Sequence, residues 1–332
     1  MSPTIIPEVL ELSGFYNSDV NREDVERVAR EQFQRHKRFG LTYAGGHGDT
    51  EGAIINRYWE LVKNKKDIVY AERDFVNKLL KSDLSEPVSR GFETAKSVFY
   101  KQKFKEPAVI LVGGIPETDA RVLDDMAFGI NLSLLSDSSE RSINKAKEYI
   151  EGFSAHEGNH IFLGQIPTYK KYNKEKQSLE KEAELVTEAK SIVFSEGLAT
   201  FVQQPGNVNN DIHKEYMKNI GFWHDLLKKS LNAKEEERFD IIRIAANNEG
   251  FKRIRPGPSR KINEELDILP GRMLPKDKYG EMLYTIFVEG NGPAYHVGYD
   301  MWRTIDERLG MEKVKEVVSK GHDEFFKVYK SL

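Results

Sequence analysis

Cysteine is missing altogether from these 332 residues. Its absence excludes disulfides and every thiolate-bound metal or cluster, so any metal must be held by His, Asp or Glu. Long apolar runs are missing too. No stretch approaches the 18 or so apolar residues that a membrane helix requires, and no membrane partner is expected. An excess of positive charge is also lacking: the net charge is −3, which argues against a nucleic-acid surface. Met1 to Leu12 shows no basic segment followed by an apolar run, so no signal peptide is read and a cytoplasmic protein is expected. Hydrophobic residues at 39% and charged residues at 31% are ordinary for a globular chain. The length suits one large domain or two modest ones.

Histidine is scarce, at eight, yet two fall in His156-Glu157-Gly158-Asn159-His160. This is an H-E-x-x-H sequence. On a helix, imidazoles four residues apart leave from one face and can grip a single Zn²⁺. Glu157, beside the first of them, can take a proton from water at the metal without being a ligand. The metzincin extension needs Gly and His where this chain has Leu163 and Ile166, which excludes that class.

No repeat or low-complexity tract divides the chain, and the first hundred residues read as helical. Mixed charges over an apolar stripe mark 21–38 and 54–80 as helices, joined across the glycine-rich turn Gly45-Gly46-His47-Gly48-Asp49. Ala108 to Val112 reads as a buried strand. Phe128 to Leu134 alternates apolar and small or polar residues, the pattern of a half-buried strand. Its small polar face would admit an extended peptide or simply meet water. Asp137 with Glu140 resembles a capping box that opens the motif helix. That helix runs to about Leu163, with Gly164 as its cap and Pro167 preventing its return. Gly158 inside it makes sense if another element crosses close by.

A catalytic zinc needs a third protein ligand. The helix over 178–203 has the stripe Leu185, Ala189, Ile192, Glu196, Ala199, which puts a carboxylate on the apolar face. A buried carboxylate must be paired or bind metal. Glu196 is therefore the candidate, with a Glu–Arg or Glu–Lys pair as the bland alternative. The small residues around it would let its helix pack on the histidine helix. Glu184 and Glu188 fall off the stripe.

His-Glu-Gly-Asn-His followed by Ser-Glu-Gly-Leu-Ala resembles the gluzincin branch of the zincin metallopeptidases, and in particular bacterial and archaeal families known only as zinc-dependent peptidases. The resemblance covers roughly residues 108–200, with a weaker echo near 295. It implies His156, His160 and Glu196 as ligands, Glu157 as general base, and the strand before the motif helix as a substrate-holding edge strand. The gap between the two motifs is longer than in thermolysin-like enzymes.

Zincin chemistry also needs a donor for the oxyanion. The segment from Glu289 to Tyr299 offers Tyr295, His296 and Tyr299 on a helix that Pro293 can start. Tyr295, Gly298, Trp302, Ile305 and Leu309 form its expected buried stripe. Arg253, Arg255, Arg260 and Lys261 surround Pro256-Gly257-Pro258 in what reads as a solvated loop. His36, His213, His224 and His322 read as surface or core residues.

The expected fold is α+β and mostly helical, zincin-like, with a small sheet and the H-E-x-x-H helix packed on the Glu196 helix. Three regions are expected: a helical 1–105, a catalytic core over 106–205, and a helical 206–332 that closes a cleft. The expected function is a one-zinc metallopeptidase acting on a peptide or protein substrate. A degenerate zincin used for binding, or a di-iron carboxylate protein built on Glu157-x-x-His160, are the alternatives. The second would need another Glu-x-x-His, which the sequence lacks.

Overall fold

The computed structural model describes residues 4–7, 81–100, 103–107, 109–113, 120–124, 127–131, 142–176, 181–203, 211–269, 271, 273–289 and 292–332, with helical positions scattered between 22 and 79. The described positions within 22–34 and 52–59 are helical, as expected. The glycine-rich turn at 45–49, His36, Asp137, Glu140 and the side chains of Glu184, Leu185 and Glu188 lie outside the described residues. The structure is mostly helical. Among the described residues no helix is long and apolar enough to cross a membrane. The chain divides into two compact units, Met1–Lys96 with Lys103–Gly164, and Ser97–Gln102 with Gln165–Leu332.

The first unit holds a four-stranded sheet in the order β1-β2-β4-β3. Its strands are β1 (Thr4–Pro7), β2 (Val109–Gly113), β3 (Ala120–Asp124) and β4 (Ala127–Asn131). β1 lies in a stretch expected to be helical only. Thr4, Ile5 and Ile6 are β-branched, which favours extended backbone, and β1 pairs with β2 in parallel register. β4 runs parallel to β2 on one side and antiparallel to β3 on the other. The expectation that β4 is a peptide-holding edge is therefore overturned. Both of its ladders are filled, and Phe128 and Ile130 are fully buried. Alternation marked the strand correctly, but it carries no information about neighbours.

Helix α1 (Ser85–Lys96) packs on helix α2 (Ile143–Gln165), which carries the H-E-x-x-H residues. A Cβ on Gly91 of α1 would meet the Glu151 carbonyl at 2.5 Å and Ser154 Cβ at 2.6 Å. Gly158 faces Phe92, 3.1 Å from where its Cβ would be. The crossing element inferred from Gly158 is thus α1. Phe92 stands edge-on to both Phe128 and Phe162. Arg90 closes the rim of this crossing on Glu151 at 2.7 Å. Ser142 caps α2, its hydroxyl accepting from the Lys145 N–H at 3.0 Å. At the other end α2 continues through Gly164 instead of stopping there. Pro167 opens the next helix, α3 (Pro167–Lys176), where its missing N–H costs nothing.

The second unit is built around helices α4 (Lys181–Gln203) and α11 (Pro293–Leu309). Between them come α5 (Asp211–Lys218), α6 (Ile220–Ser230), α7 (Glu235–Ala246), α8 (Glu249–Ile254), α9 (Pro256–Asp267) and α10 (Lys276–Phe287). Helices α12 (Met311–Lys320) and α13 (His322–Lys330) follow. α4 and α11 cross backbone to backbone: a Cβ on Gly197 would collide with Gly298, and one on Gly298 with the Val193 carbonyl. The small residues beside Glu196 therefore serve the approach of α11. Trp302 Nε1–H donates to the Phe194 carbonyl at 3.0 Å within the same interface, and Phe325 packs on both rings. The expected basic loop is instead the junction of α8 and α9. Pro256 starts α9, and Arg255 donates to the carbonyls of Thr285 and Glu289.

Candidate metal centre

His156 and His160 sit one turn apart on α2, both half-buried. Their Nε2 atoms are 3.3 Å apart, with the rings inclined at 70°. Glu157 is buried, at 5% exposure. Asn159 is wholly buried, and neither atom of its amide has a hydrogen-bond partner among the described residues. The core face of α2 carries Phe153, Ile161, Phe162 and Leu163, which leaves the two imidazoles on its flank.

Glu196 is half-buried rather than part of the core. The buried face of α4 is centred on Phe194, Gly197 and Leu198, one step round from the expected stripe. Its neighbour Tyr169, on α3, was not identified from sequence. Burial is the main reason its phenol is raised; hydrogen bonds with Ser191 and Ser195 oppose this, and the charge of Glu196 adds to it. No sequence signal pointed to Tyr169, because α3 is a polar helix with no motif of its own.

One ligand atom from each of His156, His160 and Glu196 lies within 4.8 Å of the other two. Among the described residues no other group of three His, Asp or Glu side chains does the same. The donor set suits zinc: two imidazole nitrogens and one carboxylate oxygen. Two nitrogens bound to one tetrahedral Zn²⁺ at about 2.0–2.1 Å stand about 3.3 Å apart. The Nε2–Nε2 separation has that value, and it is long for a direct hydrogen bond, where about 2.9–3.0 Å is usual.

On α11 the expected order of burial is inverted. His296 is 2% exposed, while Tyr295 and Tyr299 are half-buried. Gly298, Trp302 and Ile305 are buried as expected, but Leu309 is 45% exposed because the helix ends beside it at Gly310. His296 Nδ1 lies 2.8 Å from Nδ1 of His213 on α5, so one ring donates there and the other accepts. Tyr216 stacks on His296, and burial pushes its phenol up to about 12. Tyr299 meets the His213 ring edge-on. His213 was read as an ordinary histidine. Its partners come from helices far along the chain, so no local pattern announces them. Comparison of the chain with protein-family models, with curated proteins and with solved structures finds no match.

Proposed function

We propose that the chain is a zinc-dependent peptidase in which His156, His160 and Glu196 hold one Zn²⁺ and Glu157 is the general base. The observation that carries this reading is the convergence of three nitrogen and oxygen donors within 4.8 Å, beside a carboxylate that is 5% exposed. The resemblance of His156 to His160 and of Ser195 to Ala199 to the gluzincin motifs agrees with it. When bound, zinc would polarise the scissile carbonyl and lower the pKa of water toward neutrality.

The remaining work belongs to the chain itself. Glu157 takes a proton from the attacking water and passes it to the leaving amine, so a C–O bond forms as the C–N bond breaks. Tyr295 supplies the oxyanion donor. It stands three residues before Gly298, on the face of α11 that crosses α4 beside Glu196, and it is half-buried. His296 lies inside the second unit and does not touch substrate in this reading.

Elemental analysis and cleavage of a peptide library test the proposal together. One zinc per chain is expected, and Glu157→Gln retains it while peptide hydrolysis falls by about 10²–10⁴-fold. Glu196→Gln weakens zinc binding by about 100-fold or more. Full hydrolysis by Glu157→Gln, or two irons in place of one zinc, overturns the reading. Retained zinc without cleavage of any peptide makes the protein a metal-binding module.

A further inference from the structure

The second unit contains a cavity of about 840 Å³, walled by residues of α4, α6, α11 and α13. Its size falls in the range of about 300–1,000 Å³ usual for small-molecule sites. Its floor is apolar, with Leu227 and Met301 at 4% and 3% exposure. Its walls are rich in positive charge. Lys190, Lys228 and Lys330 line it, and among the described residues none of their three ammonium groups has a hydrogen-bond or ion-pair partner. This differs from neighbouring α12, where Lys313, Lys315 and Lys320 each hold a glutamate three or four residues away.

Arg308 and Lys327 add two further cations, the first engaged by the Leu332 carbonyl at 2.9 Å and the second 3.7 Å from Glu324. Two aspartates also line the cavity; one of them, Asp323, is 3.2 Å from His322. His224 is hydrogen-bonded to Asp300 at 3.1 Å and stacked on Tyr329 at 17°. Lys228 and Lys330 are exposed and Lys190 is half-buried; unpaired cations lining one hollow put a positive potential there, and an anion entering it relieves their mutual repulsion. Ammonium groups act as point charges and hold carboxylate or phosphate alike. The apolar floor excludes a fully hydrated anion as the natural occupant.

We infer that this cavity binds an amphiphilic anion, with one carboxylate or phosphate head at Lys190, Lys228 and Lys330 and an apolar body laid on Leu227 and Met301. The site lies wholly within the second unit and does not depend on the zinc reading.

Titration calorimetry on the full chain tests it, with decanoate, decyl phosphate, decyl glucoside and inorganic phosphate, each below any micelle concentration. One or both decyl anions bind, and the preferred head identifies a fatty-acid-like or a phosphate-ester ligand. Decyl glucoside and inorganic phosphate bind at least about tenfold more weakly. Lys228→Glu with Lys330→Glu weakens the anion by about tenfold or more, with zinc content and circular dichroism unchanged. Should that pair disturb folding, Lys228→Gln with Lys330→Gln gives the same reading at smaller charge change. Failure of both anions to bind, equal binding of the glucoside, or binding that ignores the lysine substitutions in a folded variant overturns the inference.

Discussion

Tyr295 and Tyr299 are chemically identical and one turn apart, yet their surroundings separate them. Tyr299 packs its ring against His213. Burial raises its phenol first, opposed by Arg303 and reinforced by Asp300 and Glu307, so it stays protonated. Tyr295 occupies the first turn of α11, on the face that meets α4. If the chain is the proposed peptidase with Tyr295 as oxyanion donor, Tyr295→Phe is expected to lower kcat by about 10²-fold with little change in KM, because such a donor acts in the transition state. Tyr299→Phe keeps kcat within about threefold, since its ring contact survives. Steady-state kinetics on both variants decide it, and the reverse ranking would reassign the donor. At this scale the sequence was most informative where chemistry is local. His156, Glu157 and His160 lie within five consecutive positions, and helical geometry alone brings the two imidazoles together. Glu196 was reachable because a carboxylate among apolar residues is conspicuous. The burial order of Tyr295 and His296 was not, because it depends on α5 and on the Tyr216 ring, which approach from outside the helix.

The glycines at the α4–α11 crossing act through the elements that carry them. A methyl group on Gly298 would enter the Val193 carbonyl, which is backbone and cannot step aside, so the helices must separate. Gly298→Ala should cost about 3 kcal/mol, the upper end for overpacking, and should also weaken zinc binding by displacing Glu196. Gly221 of α6 is the control, since nothing lies within 4 Å of its added Cβ. Gly221→Ala should stabilise by about 0.5–1 kcal/mol, as expected for a helical glycine with free space. Urea midpoints of the two variants moving in opposite directions would bear this out; a neutral Gly298→Ala would refute the close crossing. Helices were legible in the sequence wherever an apolar stripe was long, as in α2, α4 and α11. Partners were not. Gly158 announced a crossing but not that α1 made it, and Gly197 was assigned to the wrong neighbour. The alternation of β4 gave a strand but not its place, since sheet order is fixed by ladders formed with residues as distant as β1. The basic segment around Pro256 read as a loop because two prolines and a glycine dominate it, yet a proline in a first turn is compatible with a helix.

Among the described residues, two half-buried imidazoles shape the response to acid. Burial lowers the pKa of His213, helped by Arg303. His322 is lowered chiefly by burial, with Asp323 opposing and Lys190 reinforcing. A lowered imidazole resists protonation in the folded chain but not in the unfolded one. Above the ordinary value of about 6.5 both states are neutral and nothing is lost. Below it the unfolded chain gains protons that the folded chain refuses, so stability falls as pH drops through that value toward the folded pKa. Asp300 behaves differently. Burial would raise its carboxyl, but hydrogen bonds with His224 and Arg303 outweigh that and hold it low. Its contribution therefore persists until the pH falls below the ordinary carboxylate range, about 3.9. Two separate declines follow, one on the acid side of neutrality and one in strong acid. With chelator present to remove any effect of metal release, the urea midpoint should drop between pH 7.5 and pH 5.5. In His213→Gln the drop should be smaller, whatever that variant loses at pH 7.5, because one of the two proton-refusing groups is gone. An undiminished slope in His213→Gln would show that His213 does not govern this transition.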